Sequence, residues 1–265
     1  MTSEWRDKWA LVTGASAGIG VALARELAAG GTHLVLTARR KERLVDLSNE
    51  LSTKHGVKTE VFVADLAQPG APEQIFGFTK EKGIEIDLLI NNAGFGRYGE
   101  FPSVEKQPLL DMVQVNCAAV VHLTRLYLPE MVARRRGDVL ILASTASFQA
   151  VPYISTYAAT KAFVLSFSEA LWEENRPYGI KVMALCPGVT ETGFFVASQM
   201  KKPPARFIQT SEDVVETALR GLKRGQSSII SGWPNLLMIE MERIVPRSLI
   251  LRVAGMALRN YSEKG

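Results

Sequence analysis

Short apolar runs alternate with longer stretches of helical periodicity along most of this chain, and that alternation leaves few folds open. Ala10–Val12, His33–Leu36, Val61–Val63, Leu88–Ile90, Val139–Leu142 and Val182–Leu185 read as buried strands. Between them, Val21–Ala29, Lys41–Leu51, Val104–Ala133 and Thr156–Glu174 carry apolar residues at helical spacing. Strand, helix and strand in regular order demand crossover connections, which are right-handed, and so a parallel sheet covered on both faces. The predicted fold is α/β: a doubly wound parallel sheet of about seven strands with helices on both faces. Ligands of such sheets bind beyond the carboxyl ends of the strands.

At 265 residues the chain fits one domain of this kind. No repeat or linker divides it. Residues 8–192 read as the core, 193–231 as a loop, a helix and a last strand, and 232–265 as an extension. The net charge of +4 comes without any arginine-lysine block interleaved with aromatics, so no nucleic-acid partner is expected. Cys117 and Cys186 are too few for a disulfide framework, and neither they nor the histidines have metal-ligand spacing. Met1–Lys8 is polar rather than a signal peptide, and no apolar run reaches a spanning length. A cytoplasmic location is expected.

Chemistry enters at the first strand-helix turn, Thr13-Gly14-Ala15-Ser16-Ala17-Gly18-Ile19-Gly20. Glycines there permit a tight turn and close backbone approach, and the helix start offers free N–H groups to a pyrophosphate. A bare strand-helix turn would use glycine too, but this one opens the first βαβ unit. The second strand then ends Leu36-Thr37-Ala38-Arg39-Arg40. The position where an acid would hold a ribose 2′-hydroxyl carries guanidiniums instead. Arginine grips a 2′-phosphate that an acid would repel, so NADP(H) is the expected cofactor.

Tyr157 and Lys161 lie four apart on the helix after the fifth strand, hence on one helical face. A neighbouring ammonium favours the phenolate and draws a tyrosine towards a working acid-base range. Ser144, at the end of the fifth strand, is placed to donate to a substrate oxygen. In isolation a Tyr-x-x-x-Lys pair is common surface decoration; its place behind a phosphate loop gives it meaning.

Taken together, the chain resembles the short-chain dehydrogenase/reductase family, with a Rossmann-like fold. The resemblance runs from about Lys8 to Thr192 and rests on motifs in the family's order: the glycine turn, Asp65, Asn91-Asn92-Ala93-Gly94, Asn116, Ser144 with Tyr157 and Lys161, and Pro187-Gly188-x-x-x-Thr192. It implies that Tyr157 is the acid and base of the reaction. Lys161 lowers its pKa and holds the nicotinamide ribose, and Ser144 polarises the carbonyl. Asn116 kinks its long helix and anchors a water that relays protons to Lys161. Gly14, Ser16, Ala17, Gly18, Ile19 and Gly20 would bind phosphate, and Asp65 with Leu66 adenine. Asn92, Ala93 and Gly94 would line the cofactor, with Pro187, Gly188, Val189, Thr190 and Thr192 at the nicotinamide. Ala17 departs from those NADP-using members that carry a basic residue there, which leaves the 2′-phosphate to Arg39 and Arg40.

The family's pocket segments read Phe95-Gly96-Arg97-Tyr98, Phe148 to Tyr153 and Phe194-Phe195, an apolar and aromatic lining. The expected activity is NADP(H)-dependent interconversion of an apolar carbonyl compound and its alcohol by direct hydride transfer. A 3-oxoacyl reductase of lipid metabolism, or a cofactor-binding sensor on the same fold, are the alternatives. The family's pairing through long helices implies a homodimer or homotetramer. Ile250, Val253, Ala254 and Ala257 lie at helical spacing among Arg247, Arg252 and Arg259. A lid, a subunit interface and a peripheral membrane contact are the roles open to that segment.

Overall fold

The computed structural model describes residues 3–201 and 208–259. Residues 1–2 of the polar start, 202–207 of the expected substrate loop and 260–265 of the expected extension lie outside the described residues. The strands are β1 (Trp9–Thr13), β2 (His33–Ala38), β3 (Thr59–Val63), β4 (Ile86–Asn91), β5 (Asp138–Leu142), β6 (Lys181–Cys186) and β7 (Ser228–Ile230). They form one 7-stranded sheet in the order β3-β2-β1-β4-β5-β6-β7, with every pairing parallel.

The central strands are buried on both faces, which is why they read as unbroken apolar runs. Alternate residues serve opposite layers. Ala10, Val12, Leu34, Leu36, Leu88 and Ile90 pack against helices α1 (Gly18–Ala29), α2 (Lys41–His55) and, further along the sheet, α8 (Ser211–Lys223). Leu11, Val35, Leu89, Val139 and Ile141 face the other layer. That layer holds α3 (Ala71–Glu81), α4 (Lys106–Val113), α5 (Ala119–Ala133) and α6 (Ser155–Asn175). The C-terminal part adds short α7 (Phe194–Ser198), then α9 (Trp233–Glu242) and α10 (Arg247–Leu258) after β7.

Two expectations need correction. Val61–Val63 is a strand but not a buried one: β3 sits at the sheet edge, its residues are half-buried, and Val63 is 44% exposed. The stretch Val104–Ala133 is not one regular helix. A π-helical turn, Gln114–Ala118, separates α4 from α5 and carries Asn116. Such turns arise where one extra residue is accommodated without ending the helix, and they recur at functional sites.

β1 lies between β2 and β4, so the chain leaves it in opposite directions on successive crossovers. The connections diverge at the carboxyl end of β1 and open a crevice there.

Candidate active site

The crevice is closed at its base by side chains that tie β1 to β4. Thr13 Oγ1 accepts hydrogen bonds from the Asn92 and Ala93 amides (2.9 and 3.0 Å) and donates to the Ile90 carbonyl (3.1 Å). Asn92 Nδ2 donates to the Thr13 carbonyl at 2.7 Å. Gly14 turns away from the strand with φ +67°, and a Cβ there would stand 2.9 Å from Ala93 Cα. Glycine at 14 thus answers both a left-handed conformation and a close approach. Ala17 caps α1 without a side-chain hydrogen bond, and the first turn of that helix carries no acid. The amides of that end therefore face the crevice without a carboxylate to compete for them, the requirement for an anionic ligand.

A cavity of about 1260 Å³ runs from this turn to the carboxyl ends of β5 and β6. Its wall includes every predicted site residue except Gly20 and Asn116. Gly20 lies behind the turn, where a Cβ would meet the Gly14 carbonyl oxygen at 2.5 Å. Asn116 is buried in the π turn and braces the wall from outside. Its Nδ2 donates to the Phe95 carbonyl (3.0 Å) and to Thr160 Oγ1 (3.0 Å), and its Oδ1 accepts from the Phe95 amide (3.1 Å). A Cβ on Gly94 would lie 3.1 Å from Asn116 Oδ1 and 3.3 Å from Lys161 Nζ, so both groups approach the cavity at the same bare backbone.

At the far end stand Ser144, Tyr157 and Lys161. Tyr157 and Ser144 line the same end of the cavity, and Lys161 Nζ lies 5.8 Å from the centre of the Tyr157 ring. Lys161 is buried and donates to the Leu142 carbonyl. Ser147 links the two supporting elements. Its hydroxyl accepts from the Ser144 amide (3.2 Å) and donates to the Lys161 carbonyl (2.9 Å), pinning the end of β5 to the first turns of α6.

Burial sets the electrostatics of this trio. It draws Lys161 down to about 8, opposed by the neighbouring Cys117 and Cys186. It pushes Tyr157 up to about 12, opposed by the Ser144 side chain. Removal of the hydroxyl from water is the largest influence on the phenol, and the Lys161 ammonium beside its ring is itself desolvated.

At the other end of the cavity the cationic cluster is larger than the sequence suggested. Arg25 and Arg43 join Arg39 and Arg40 in the wall. Arg25 is committed to a two-point ion pair with Glu50 (2.8 and 2.7 Å). Arg40 donates to Ser16 Oγ (2.9 Å) and to the Ser16 carbonyl (3.1 Å), stiffening the glycine turn. Its pKa is lowered first by burial and then by Arg43 and Arg39. Arg39 and Arg43 have no ion-pair partner among the described residues. Arg43 lies in the first turn of α2, directly after the arginine pair, a proximity from which its presence could have been inferred.

Asp65 accepts from the Ala67 amide at 3.0 Å, which shapes the turn after β3. Thr190 Oγ1 donates to the Gly188 carbonyl (3.0 Å), and Thr192 Oγ1 accepts from the Phe194 amide (3.2 Å). Beyond them the wall turns apolar. The Phe194 ring sits 5.1 Å from that of Tyr157, whereas Tyr98 and Tyr153, expected in the pocket, stack on each other at 5.9 Å outside its lining. Phe148, expected in the pocket, instead packs into the core beneath it. Gln149 replaces it: it lines the cavity, and its buried Oε1 has no hydrogen-bond partner.

The C-terminal helices complete the wall, a contribution the sequence left open. Met238 of α9 and Leu258 of α10 line the cavity, and the Tyr98 hydroxyl donates to the Leu258 carbonyl. Asn235 packs over Gly188 and bonds the Ser231 carbonyl (2.7 Å) and Gln209 Oε1 (3.2 Å), fastening α9 to the loop after β6.

These features can be set beside known proteins. The short chain dehydrogenase family model matches residues 8–203. A very-long-chain 3-oxoacyl-CoA reductase of Anas platyrhynchos is 35% identical over 254 residues, 92% of this chain and 78% of the relative. One of Phaeosphaeria nodorum is 34% identical over 223 residues, and there the match spans only 64% of the relative's length. Among solved structures, a 7β-hydroxysteroid dehydrogenase superposes with a TM-score of 0.87 at 27% identity, covering 96% of this chain and 99% of that one. A short-chain dehydrogenase from Sphingobium yanoikuyae in complex with NADPH gives a TM-score of 0.80 at 30% identity, covering 91% and 97%. The family model spans most of the chain and the parallel sheet matches these solved structures, so the chain belongs to the short chain dehydrogenase family.

Proposed function

We propose that the protein is an NADP(H)-dependent oxidoreductase that interconverts an apolar carbonyl compound and its alcohol. The observation that carries this reading is one continuous cavity with a cationic cluster at one end and Ser144, Tyr157 and Lys161 together at the other. NADPH supplies the hydride when bound. Arg39 and Arg43 hold its 2′-phosphate, and the open amides at the start of α1 face its pyrophosphate. Ser144 orients the substrate oxygen, and Tyr157 delivers the proton to it. Burial keeps the phenol protonated, the form from which reduction starts. Lys161 keeps its charge below about pH 8 and supports the tyrosine as it becomes anionic.

The lining of Phe194, Phe195, Met200, Met238 and Leu258 selects an apolar body. The curated relatives' names favour a second reading, reduction of a long-chain 3-oxoacyl thioester. Gln149, with its free acceptor, is placed to meet a polar group on either class. The subunits pair through α4, α5 and α6, whose outward Leu110, Val113 and Phe163 are 50%, 44% and 47% exposed. The reading includes a cytoplasmic location. No helix among the described residues is long and apolar enough to cross a membrane.

The test is a comparison of Tyr157→Phe with the parent enzyme, using NADPH and a panel of bulky ketones, steroid ketones and 3-oxoacyl thioesters of graded length. The expected outcome is a loss of kcat of at least a thousandfold with NADPH affinity, read by fluorescence, within twofold. Near-normal turnover in the variant would overturn the mechanism, and the best substrate of the parent decides between the readings.

A further inference from the structure

The last helices carry an apolar surface that the cavity does not use. On α9 the inward side is Asn235, Ile239 and Glu242, whereas Trp233, Leu237 and Met241 point outward at 76%, 55% and 52% exposure. Ile244, just past the helix, continues that stripe at 75%. α10 repeats the pattern. Its inward side is Ile250, Ala254 and Leu258, and its outward side is Leu249, Val253 and Met256 at 51%, 53% and 70%. Both outward sets follow helical spacing, so each helix presents a continuous apolar stripe to solvent. The single face expected from Ile250, Val253, Ala254 and Ala257 is thereby divided. Ile250 and Ala254 turn inward, and Val253 belongs to the outer stripe. Exposed apolar surface gathered in this way marks an interaction site.

Charge decides the partner. Arg252 and Arg259 flank the outer stripe of α10 and Arg247 begins that helix, and none of the three has an ion-pair partner among the described residues. Among the described residues of the segment the acids are Glu240, paired with Arg243 at 3.0 Å, and Glu242, whose Oε2 is buried. A second copy docked on this face by a two-fold axis would set arginine against arginine with no free acid between. An anionic phospholipid surface answers both features: acyl chains accept the stripes, headgroups the guanidiniums, and an indole such as Trp233 suits the boundary between them. We propose that the outer faces of α9 and α10 dock the protein peripherally on an anionic membrane. Met238 and Leu258 belong to the same helices and line the cavity, so the docked face adjoins the substrate entrance. The inference stands on surface chemistry and does not depend on which substrate is reduced.

Flotation of the full chain tests it, using vesicles of phosphatidylcholine alone or with phosphatidylglycerol added. The parent protein should float with the anionic vesicles, at least tenfold less with the neutral ones, and less as salt rises. Leu237→Glu/Met241→Glu and Val253→Glu/Met256→Glu should each lose flotation at least tenfold while keeping parental melting temperature and NADPH fluorescence. Arg247→Gln/Arg252→Gln should lose the preference for anionic lipid. A parent that stays at the bottom with anionic vesicles, or glutamate variants that float like the parent, would overturn the proposal. So would a lipid-free parent dimer that the glutamate variants convert to monomers, since a second copy would then occupy the face.

Discussion

Ser147 shows how a residue outside the reacting trio positions it. It is buried, and its hydroxyl is used in both directions, accepting from the Ser144 amide and donating to the Lys161 carbonyl. Alanine there would orphan a buried N–H at the residue that meets substrate and loosen the start of α6, a cost of about 1–3 kcal/mol. Part of that strain falls on the Ser144–Tyr157 geometry, which must be held closely for proton transfer. Ser147→Ala is therefore expected to lower kcat about tenfold, corresponding to about 1.4 kcal/mol, with KM and NADPH affinity within twofold. Parental kcat in this variant would show that Ser147 is only a turn-former. Nothing in the sequence signals this role, because a serine three residues after another reads as turn composition. By contrast Tyr157, Lys161 and the glycine turn were legible, since their spacing alone decides which face they share. The electrostatics were not: how far burial outweighs a nearby charge depends on what packs around the phenol.

At the scale of the element, legibility followed burial on two sides. The central strands were found within a residue or two because a parallel strand between two helical layers is apolar throughout. β3 escaped that rule as an edge strand, and α3 was not read, whereas α8 and β7 are the helix and last strand expected within 193–231. The π turn stands where the resemblance implies a kink at Asn116, but composition alone does not show it, because Gln114–Ala118 has ordinary helical composition. What fixes it is tertiary: the Asn116 amide bonds to Phe95 and Thr160. The role of α10 is likewise set by contact. Its end is held over the cavity by the Tyr98 hydroxyl on the Leu258 carbonyl, and Gly255 packs on Pro152. Tyr98→Phe removes that hydrogen bond at a cost of ~1 kcal/mol and keeps the ring stacked on Tyr153. Amide exchange across 247–258 should rise several-fold, and KM for an apolar carbonyl substrate should rise about fivefold with kcat held. Unchanged exchange in that segment would mean that α10 is docked by its apolar face alone.

For the whole molecule, one buried carboxyl couples folding to pH. Asp138 begins β5 in the middle of the sheet at 8% exposure, and its Oδ2 accepts from Trp5 Nε1 at 2.7 Å. Burial pushes its pKa from 3.8 up to about 6, with Glu4 acting in the same direction and Lys181, the Trp5 hydrogen bond and Lys8 opposing. The folded protein thus holds this proton more tightly than the unfolded chain does. The associated stability is fully present below about pH 4 and is lost as pH rises through about 6. The loss is on the order of 3 kcal/mol, since each tenfold change in proton affinity is worth roughly 1.4 kcal/mol. Asparagine can keep the acceptor for Trp5 while removing the charge. Asp138→Asn should therefore melt several degrees above the parent at neutral pH, and the difference should close as the pH falls towards 4. Carboxylates elsewhere titrate in both proteins, so the difference between the two melting curves isolates this group. A difference that stays constant with pH, or widens on acidification, would show that Asp138 is ionised without penalty and that Lys181 compensates it in full.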